Sequence, residues 1–351
     1  MVKLPTTRLG VRRFGQVNES HRLLADLAMS ILNQPDTRPE LVVIGGLADW
    51  MVLELRALYR VHDLGGVSNE TERARLLAQA AGAGAAVTTG LVGIDAQTVR
   101  QLPGLRLVAC FGVGYDRVDR PALNERAIGL CNTPGVVSNC VADHAMGLLI
   151  ALMRRIAQAD RLAHAGIWGK KTIGLTRRVS GLRLGILGLG DIGQTVARRA
   201  TGFDMPIGYH NRHRRADLSY EYFESPLELA RWADCLLVAC AGGAATRHLV
   251  NQAVLDALGP QGVLVNIARG SVVDENALVS ALVAGRLGGA ALDVFEAEPS
   301  IPAALLGMDR VVLTPHIAGS TQETWREAFD LVLANLAAFL AGRPLLTPVA
   351  D

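Results

Sequence analysis

The run Leu182-Arg183-Leu184-Gly185-Ile186-Leu187-Gly188-Leu189-Gly190-Asp191-Ile192-Gly193 decides the fold. An apolar, strand-like stretch over 182–187 feeds directly into Gly-x-Gly-x-x-Gly, and residues 194–200 continue with helical character. Such a glycine pattern is weak in isolation; a strand before it and a helix after it give it meaning. Gly188 permits the tight turn, Gly190 lets the backbone approach a pyrophosphate, and Gly193 lets the helix pack close to the strand. The helix start at Asp191 and Ile192 then offers N–H groups and a positive dipole end to phosphate. The segment reads as a dinucleotide-binding unit, against the bland alternative of a glycine-rich turn with no ligand.

Working outward, apolar strand-like runs recur at 41–44, 85–88, 105–110, 206–209, 235–239, 262–267, 289–294 and 311–313, with helical segments between them. That alternation predicts an α/β protein with doubly wound, Rossmann-like parallel sheets. A chain of 351 residues is too long for one ordinary core, so two domains are expected. Residues 141–164 read as one long helix, with Val141, Met146, Leu148, Leu149, Leu152 and Ile156 on its apolar face. It starts just after the loop Asn132-Thr133-Pro134-Gly135, where a boundary is set. A second boundary is set near Ile317, and the last helix, 322–340, returns to the first domain. The expected organisation is a discontinuous substrate domain, 1–133 and 318–351, into which a dinucleotide domain, 134–317, is inserted.

Bulk properties exclude several partners. Lys and Arg number 35 against 33 Asp and Glu, a net charge of +2, which gives no support for nucleic-acid or acidic-membrane binding. The longest strongly apolar run, 145–153, falls far short of the ~20 residues that a membrane span needs. The cysteines Cys110, Cys131, Cys140, Cys235 and Cys240 form no Cys-x-x-Cys pair and no zinc spacing, so no metal is expected. Reduced buried thiols point to a cytoplasmic protein. The first residues are basic (Lys3, Arg8, Arg12, Arg13) without an acid or a secretory apolar run. A targeting peptide, an extension and a wrongly assigned start all fit residues 1–38.

The strand at 206–209 ends in His210-Asn211-Arg212-His213-Arg214-Arg215, and no acid follows until Asp217. An NAD site places an Asp or Glu here for the ribose hydroxyls. A carboxylate would repel a 2′-phosphate, whereas an arginine grips one bidentately. The segment therefore predicts NADP(H) over NAD(H), with Arg212 as first ligand and Asn211 and Arg215 as helpers. The alternative is a solvated basic loop.

Three further segments each follow a strand: Asn266-Ile267-Ala268-Arg269-Gly270, Asp293-Val294-Phe295-Glu296-Ala297-Glu298-Pro299 and Thr314-Pro315-His316. Open α/β sheets bind ligands at the carboxyl ends of strands, so all three are expected beside the nicotinamide. A 2-keto acid presents a carboxylate and a carbonyl. Arg269 suits the carboxylate and can polarise the carbonyl with its fixed fork of donors. Hydride addition leaves charge on the carbonyl oxygen, and His316 can protonate it, or act as base in the reverse direction. A neighbouring carboxylate favours a protonated imidazole, and Glu298 can supply it. Asp293, at a strand end, could orient the nicotinamide carboxamide, and Ala268 lies on the cofactor side. Singly, each of these residues is as well explained by an ion pair, a turn or a solvated loop; their order and strand context carry the reading.

With these residues named, the chain closely resembles the D-isomer-specific 2-hydroxyacid dehydrogenase family. Gly112-Val113-Gly114-Tyr115-Asp116, Asn132-Thr133-Pro134-Gly135, Val141-Ala142-Asp143-His144, the glycine motif, the Arg269 segment, the Glu298-Pro299 segment and Thr314-Pro315-His316 carry the resemblance, from about residue 40 to 348. Within the family the chain looks most like NADPH-dependent glyoxylate/hydroxypyruvate reductases and hydroxyphenylpyruvate reductases. The cues are His210-Asn211-Arg212, Ala257-Leu258-Gly259-Pro260, 282–289 and Leu345-Leu346-Thr347-Pro348. The resemblance implies that Arg269, Glu298 and His316 are the catalytic trio. It implies that Leu91, Val92 and Gly93, in the loop from Thr89, bind the substrate carboxylate through backbone amides, and that Val113 and Gly114 line the same cleft. It implies a homodimer through the dinucleotide domain, with Trp168 reaching a partner's active site. One departure is Ala241-Gly242-Gly243-Ala244-Ala245-Thr246, where the family commonly has Pro-Leu-Thr. That loop either loosens the cofactor grip or admits the phosphate.

Two rival readings stand beside this one. Formate and phosphite dehydrogenases share the architecture, although Glu298-Pro299 favours keto-acid chemistry. A dinucleotide-sensing scaffold can retain the catalytic trio, and such scaffolds carry long disordered tails that this sequence does not show.

Overall fold

The computed structural model describes residues 38–350, so the questions raised by residues 1–37 lie outside the described residues. The chain divides into two compact units, one of residues up to Pro134 together with Arg326–Asp351, the other Gly135–Trp325. The second division falls inside the last helix, against the expected 317/318.

The first unit is a five-stranded parallel sheet. In chain order it contains β1 (Glu40–Val43), α1 (Asp49–Leu58), β2 (Arg60–Asp63), α2 (Glu70–Gln79), β3 (Ala85–Thr89), α3 (Ala96–Gln101), β4 (Leu107–Phe111), α4 (Arg120–Asn124) and β5 (Gly129–Cys131). The strand order is β2-β1-β3-β4-β5. Alternation sends Val42, Ala86, Val108, Cys110 and Leu130 to one face, where they pack with Leu77, Val99 and Leu123 of the helices and with Leu102 just after α3. Asn69, Asp95 and Asp119 each accept a hydrogen bond from a backbone N–H in the first turn of the helix that follows, which fixes where α2, α3 and α4 start. The order reverses between β1 and β3, so the loops after these two strands stand at a switch point, the usual ligand position of such sheets.

The second unit opens with α5 (Ser138–Met153) and α6 (Ile156–His164). The single helix expected over 141–164 is interrupted: Arg155 adopts φ 49°, a left-handed conformation that ends one helix and starts another. Arg155 also donates to the carbonyl of Ile173, which ties the break to the extended segment beyond α6. There follow β6 (Leu184–Leu187), α7 (Asp191–Ala200), β7 (Ile207–His210), β8 (Glu221–Tyr222), α8 (Pro226–Trp232), β9 (Cys235–Val238), α9 (Gln252–Leu258), β10 (Val263–Asn266), α10 (Glu275–Val283), β11 (Gly289–Leu292), α11 (Ala303–Leu306), β12 (Val311–Leu313) and the start of α12 (Gln322–Leu340). The seven strands are all parallel, in the order β12-β11-β10-β9-β6-β7-β8.

Residue alternation explains why helices cover both faces. Ile186, Leu237, Val265 and Ala291 join one core with α5 and α7, through Val141, Ala145, Leu149, Val196 and Ala200. Their neighbours Leu187, Leu236, Leu264 and Leu292 join the other, with Leu229, Leu255, Leu278 and Leu282 of α8, α9 and α10. The order reverses between β6 and β9, which puts the glycine motif at the switch point of this sheet as well. β2, β5 and β8 are short strands that the sequence reading did not include. Among the described residues no helix is long and apolar enough to cross a membrane.

Candidate active site

The glycine turn after β6 behaves as its sequence requires. Gly188 has φ 102°, and a Cβ there would lie 2.5 Å from the backbone of Cys240 at the end of β9. A Cβ on Gly193 would stand 2.3 Å from the carbonyl oxygen of Gly188, so helix and strand meet only because this residue has none. Gly190 has open space around its Cβ position and begins α7 with no side-chain cap. The N–H groups of Asp191, Ile192 and Gly193 are the helix's unpaired first-turn donors, and they are the groups that would hold a pyrophosphate. The residues present fit a bound dinucleotide.

Beside this turn, Asn211 Oδ1 accepts the N–H of Leu189 at 2.7 Å, so the amide after β7 braces the glycine loop. Arg212 is exposed and makes no hydrogen bond or ion pair among the described residues. Arg215 differs: its guanidinium holds Asp217 in a fork at 2.8 and 2.6 Å. That pairing draws the Asp217 carboxyl down to about 2. Arg214 lies over the Tyr222 ring, 6.0 Å from its centroid. The loop 241–246 is closed on itself by Thr246, whose hydroxyl donates to the carbonyl of Ala241 at 2.8 Å.

The catalytic candidates come from three adjacent strands. After β10, buried Asn266 accepts the N–H of Ala268 at 3.1 Å and donates to the carbonyl of Arg269 at 3.1 Å. This clamp shapes the turn that carries Arg269, whose guanidinium also reaches the carbonyl of Ala268 at 2.8 Å. After β11, Glu298 Oε1 accepts the N–H of Phe295 at 3.0 Å, folding the loop back on itself. After β12, His316 Nδ1 meets Glu298 Oε2 at 2.8 Å. Burial pushes the Glu298 carboxyl up, but bonds from His316 and the Phe295 N–H, with the charges of His316 and Arg269, outweigh it and hold the group below its ordinary value. A carboxylate on Nδ1 fixes the ring and leaves Nε2 without a partner among the described residues.

The structure thus brings Arg269, Glu298 and His316 together. Asp293 is also there, but in a different relation: it is 1% exposed, and its carboxylate accepts from Thr314, Ile317 and Ala318 on the segment that bears His316. Sequence reasoning missed other groups that fix the two loops. Glu275, at the start of α10, accepts the N–H of Glu296 at 2.8 Å. Burial raises its carboxyl above the ordinary value, the Glu296 N–H opposes this, and the Glu296 and Glu298 charges add to it. Glu296 in turn takes Arg247 at 2.6 Å and His248 at 3.0 Å. The spacing Asp274-Glu275, capping a helix after the Arg269 turn, was the available signal.

In the first unit, the loop after β3 carries Leu91, Val92 and Gly93. Gly93 N–H donates to the carbonyl of Thr89 at 2.8 Å, and Val92 N–H to the Thr89 hydroxyl at 3.2 Å. Leu91 N–H has no acceptor among the described residues, and its side chain is exposed. After β4, Val113 is exposed, its carbonyl held by Asn132 at 2.7 Å, and Gly114 O accepts from the Cys110 thiol. Trp168, 87% exposed, projects from the turn between α6 and β6.

Comparisons with known proteins find relatives in sequence and in fold. Residues 146–318 match the family described as D-isomer specific 2-hydroxyacid dehydrogenase, NAD binding domain. The hydroxyphenylpyruvate reductase of Plectranthus scutellarioides is 48% identical over 278 residues, 79% of this chain and 89% of that protein. The glyoxylate/hydroxypyruvate reductase A of Arabidopsis thaliana is 46% identical, over 76% of this chain and 85% of its own. Among solved structures, an NADPH-dependent glyoxylate/hydroxypyruvate reductase from Sinorhizobium meliloti, in complex with NADP and malonate, superposes with a TM-score of 0.83. It is 38% identical, covering 90% of this chain and 97% of that one.

Proposed function

This chain belongs to the D-isomer-specific 2-hydroxyacid dehydrogenase family, and from that premise we propose that it reduces a small 2-keto acid of the glyoxylate or hydroxypyruvate type to the D-2-hydroxy acid with NADPH. The observation that carries the reading is the pair His316 Nδ1–Glu298 Oε2 at 2.8 Å, which leaves Nε2 without a partner among the described residues. A bound reduced nicotinamide supplies the hydride for C2 of the keto acid. The remaining work falls to the chain's own groups. Arg269 holds the substrate carboxylate and polarises the carbonyl. His316 Nε2 gives its proton to the carbonyl oxygen as the alcohol forms, and Glu298 stabilises the charged ring before transfer. In the same reading the loop Leu91-Val92-Gly93 takes the substrate carboxylate, with the Leu91 N–H as its donor that has no acceptor among the described residues.

For the cofactor, Arg212 is the support: an exposed guanidinium with no partner among the described residues, beside an amide where a carboxylate would repel phosphate. A homodimer through the second unit is part of the same reading, with exposed Trp168 and Leu175 on the joining segment; sedimentation of the purified chain tests it. The deciding experiment is oxidation of NADPH and of NADH in parallel with hydroxypyruvate, glyoxylate and phenylpyruvate. Turnover of a small acid with NADPH is expected. NADPH binding without turnover of any of the three acids would refute the assignment and favour a sensing role.

A further inference from the structure

The motif Val141-Ala142-Asp143-His144 marks α5, yet the proposed chemistry gives His144 no part. Its imidazole Nε2 lies 3.0 Å from Thr314 Oγ1 and 3.4 Å from Asp293 Oδ1. Thr314 Oγ1 stands 2.6 Å from that same carboxylate oxygen and donates to it. A hydroxyl has one proton. With that proton directed at Asp293, Thr314 can only accept from His144, so Nε2 carries the hydrogen. A directed chain results: His144 Nε2–H to Thr314 O–H to Asp293.

Asp293 is where the segment 314–318 is fastened. Ile317 N–H donates to Oδ1 and Ala318 N–H to Oδ2, both at 2.9 Å, and the Asp293 carbonyl accepts His316 N–H at 2.8 Å. Burial pushes the Asp293 carboxyl up; the bonds from His144, Thr314, Ile317 and Ala318 outweigh it and hold the group below its ordinary value. A buried carboxylate that loses a donor is costly, so each of these bonds matters. His316 itself has φ 53°, a left-handed conformation uncommon outside glycine. Its aim is therefore imposed by the fastened residues on either side.

We propose that His144 is a positioning residue for proton transfer: its Nε2–H turns the Thr314 hydroxyl onto Asp293 and so locks the segment that aims His316. The inference rests on the reading of His316 as the proton donor. Without His144 the hydroxyl rotates among other acceptors, and the segment loses one of its fastenings while α5 keeps its buried face.

The test compares His144→Ala, His144→Gln, Thr314→Val and His316→Ala in the full chain, measuring kcat, KM, NADPH affinity and melting temperature. Gln can offer an N–H near the position of Nε2; Ala cannot. His144→Ala is expected to lower kcat about 10- to 100-fold, the scale of a small misplacement of a reacting group. KM and NADPH affinity should stay within about twofold, since binding groups are untouched. His144→Gln should recover most of kcat, and His144→Ala added to Thr314→Val should cost little more than either alone. Parental kcat in His144→Ala would overturn the proposal. So would equal damage in the Ala and Gln variants with KM and melting temperature moving alongside kcat, which is packing alone. His316→Ala separates the two levels: parental turnover there defeats the reading of His316, whereas its loss beside a parental His144→Ala defeats only the role of His144.

Discussion

Gly270 follows Arg269 directly, and its Cα presses on the backbone of the loop that bears Glu298. A Cβ at this position would lie 1.9 Å from the Phe295 carbonyl carbon, 2.1 Å from its oxygen and 2.2 Å from Glu296 N. Carbon atoms in contact sit about 3.5 Å apart or more, so the two loops must separate by about 1.5 Å to admit one methyl group. All three obstructing atoms are backbone, so no side chain can rotate aside. The backbone of Gly270 lies outside the left-handed region, so alanine carries no conformational penalty there and any loss reports the contact. Glu298 is tied to the displaced loop through Phe295 N–H, and His316 is tied to Glu298. Parting the loops therefore moves the His316–Glu298 pair, the proposed proton donor and its partner, relative to Arg269. A misplacement of about 1 Å costs about 100-fold in turnover, and Gly270→Ala is expected to reduce kcat/KM on hydroxypyruvate by at least about that factor. Overpacking should also cost about 1–3 kcal/mol of stability, visible as a lowered melting temperature. The glycine turn and Arg212 are untouched, so NADPH affinity, measured by fluorescence titration, should change by less than about threefold. A folded Gly270→Ala protein with parental kcat/KM would refute the claim that this backbone contact sets the geometry of the site.

Three further outcomes are expected. Arg212→Asp should lower the NADPH-to-NADH ratio of kcat/KM by about 10- to 100-fold, the worth of a charge-assisted hydrogen bond to phosphate; an unchanged ratio would remove the NADP assignment. Asp217→Asn should act in the opposite sense, because it releases the Arg215 fork and removes a nearby negative charge. NADPH affinity should rise about two- to fivefold, as befits an exposed pair, and competition binding against NADH would detect it. Glu298 has a carboxyl held below its ordinary value of 4.5, so its ionised form is the one the folded state favours. The associated stability is present above that value and is lost as pH falls through the lower folded value. Denaturant titrations between pH 3 and 6 should show the parent losing more stability on acidification than Glu298→Gln; parallel curves would contradict the pairing.

Those residues that local pattern dictates were legible in the sequence. The glycine turn follows from a strand, three glycines and a helix, because only that order lets β6 run into α7 with Gly188 against Cys240. Arg269, Glu298 and His316 follow from residue types at successive strand ends, and β10, β11 and β12 do lie side by side. What the pattern could not convey is partnership across loops. Nothing in the order of residues says that Asp293 fastens Thr314, Ile317 and Ala318, or that Arg215 turns to Asp217. Both depend on side-chain directions that only the folded backbone sets. The break at Arg155 was likewise illegible, since apolar periodicity runs through it and the stop comes from one left-handed residue. Short strands such as β8 lacked the length that makes a period visible.

Asn211 shows how an absence in sequence becomes a positive device in three dimensions. Its first meaning is the missing acid of an NAD site. In the fold its carbonyl oxygen accepts Leu189 N–H at 2.7 Å, holding the turn between Gly188 and Gly190 in shape. An aspartate could make that bond equally well. It could not do the second thing an amide does, which is to present N–H donors from the same group. An ionised carboxylate only accepts, and next to a 2′-phosphate it adds repulsion. In the proposed reading the amide would brace the loop and still offer N–H donors to a phosphate, while adding no carboxylate beside the guanidinium of Arg212. The same reasoning separates Arg212 from Arg215: identical in type and close in sequence, they differ because only the second has Asp217 within reach. If the proposed NADPH preference holds, it rests less on how many arginines the loop holds than on which of them has no ion-pair partner among the described residues.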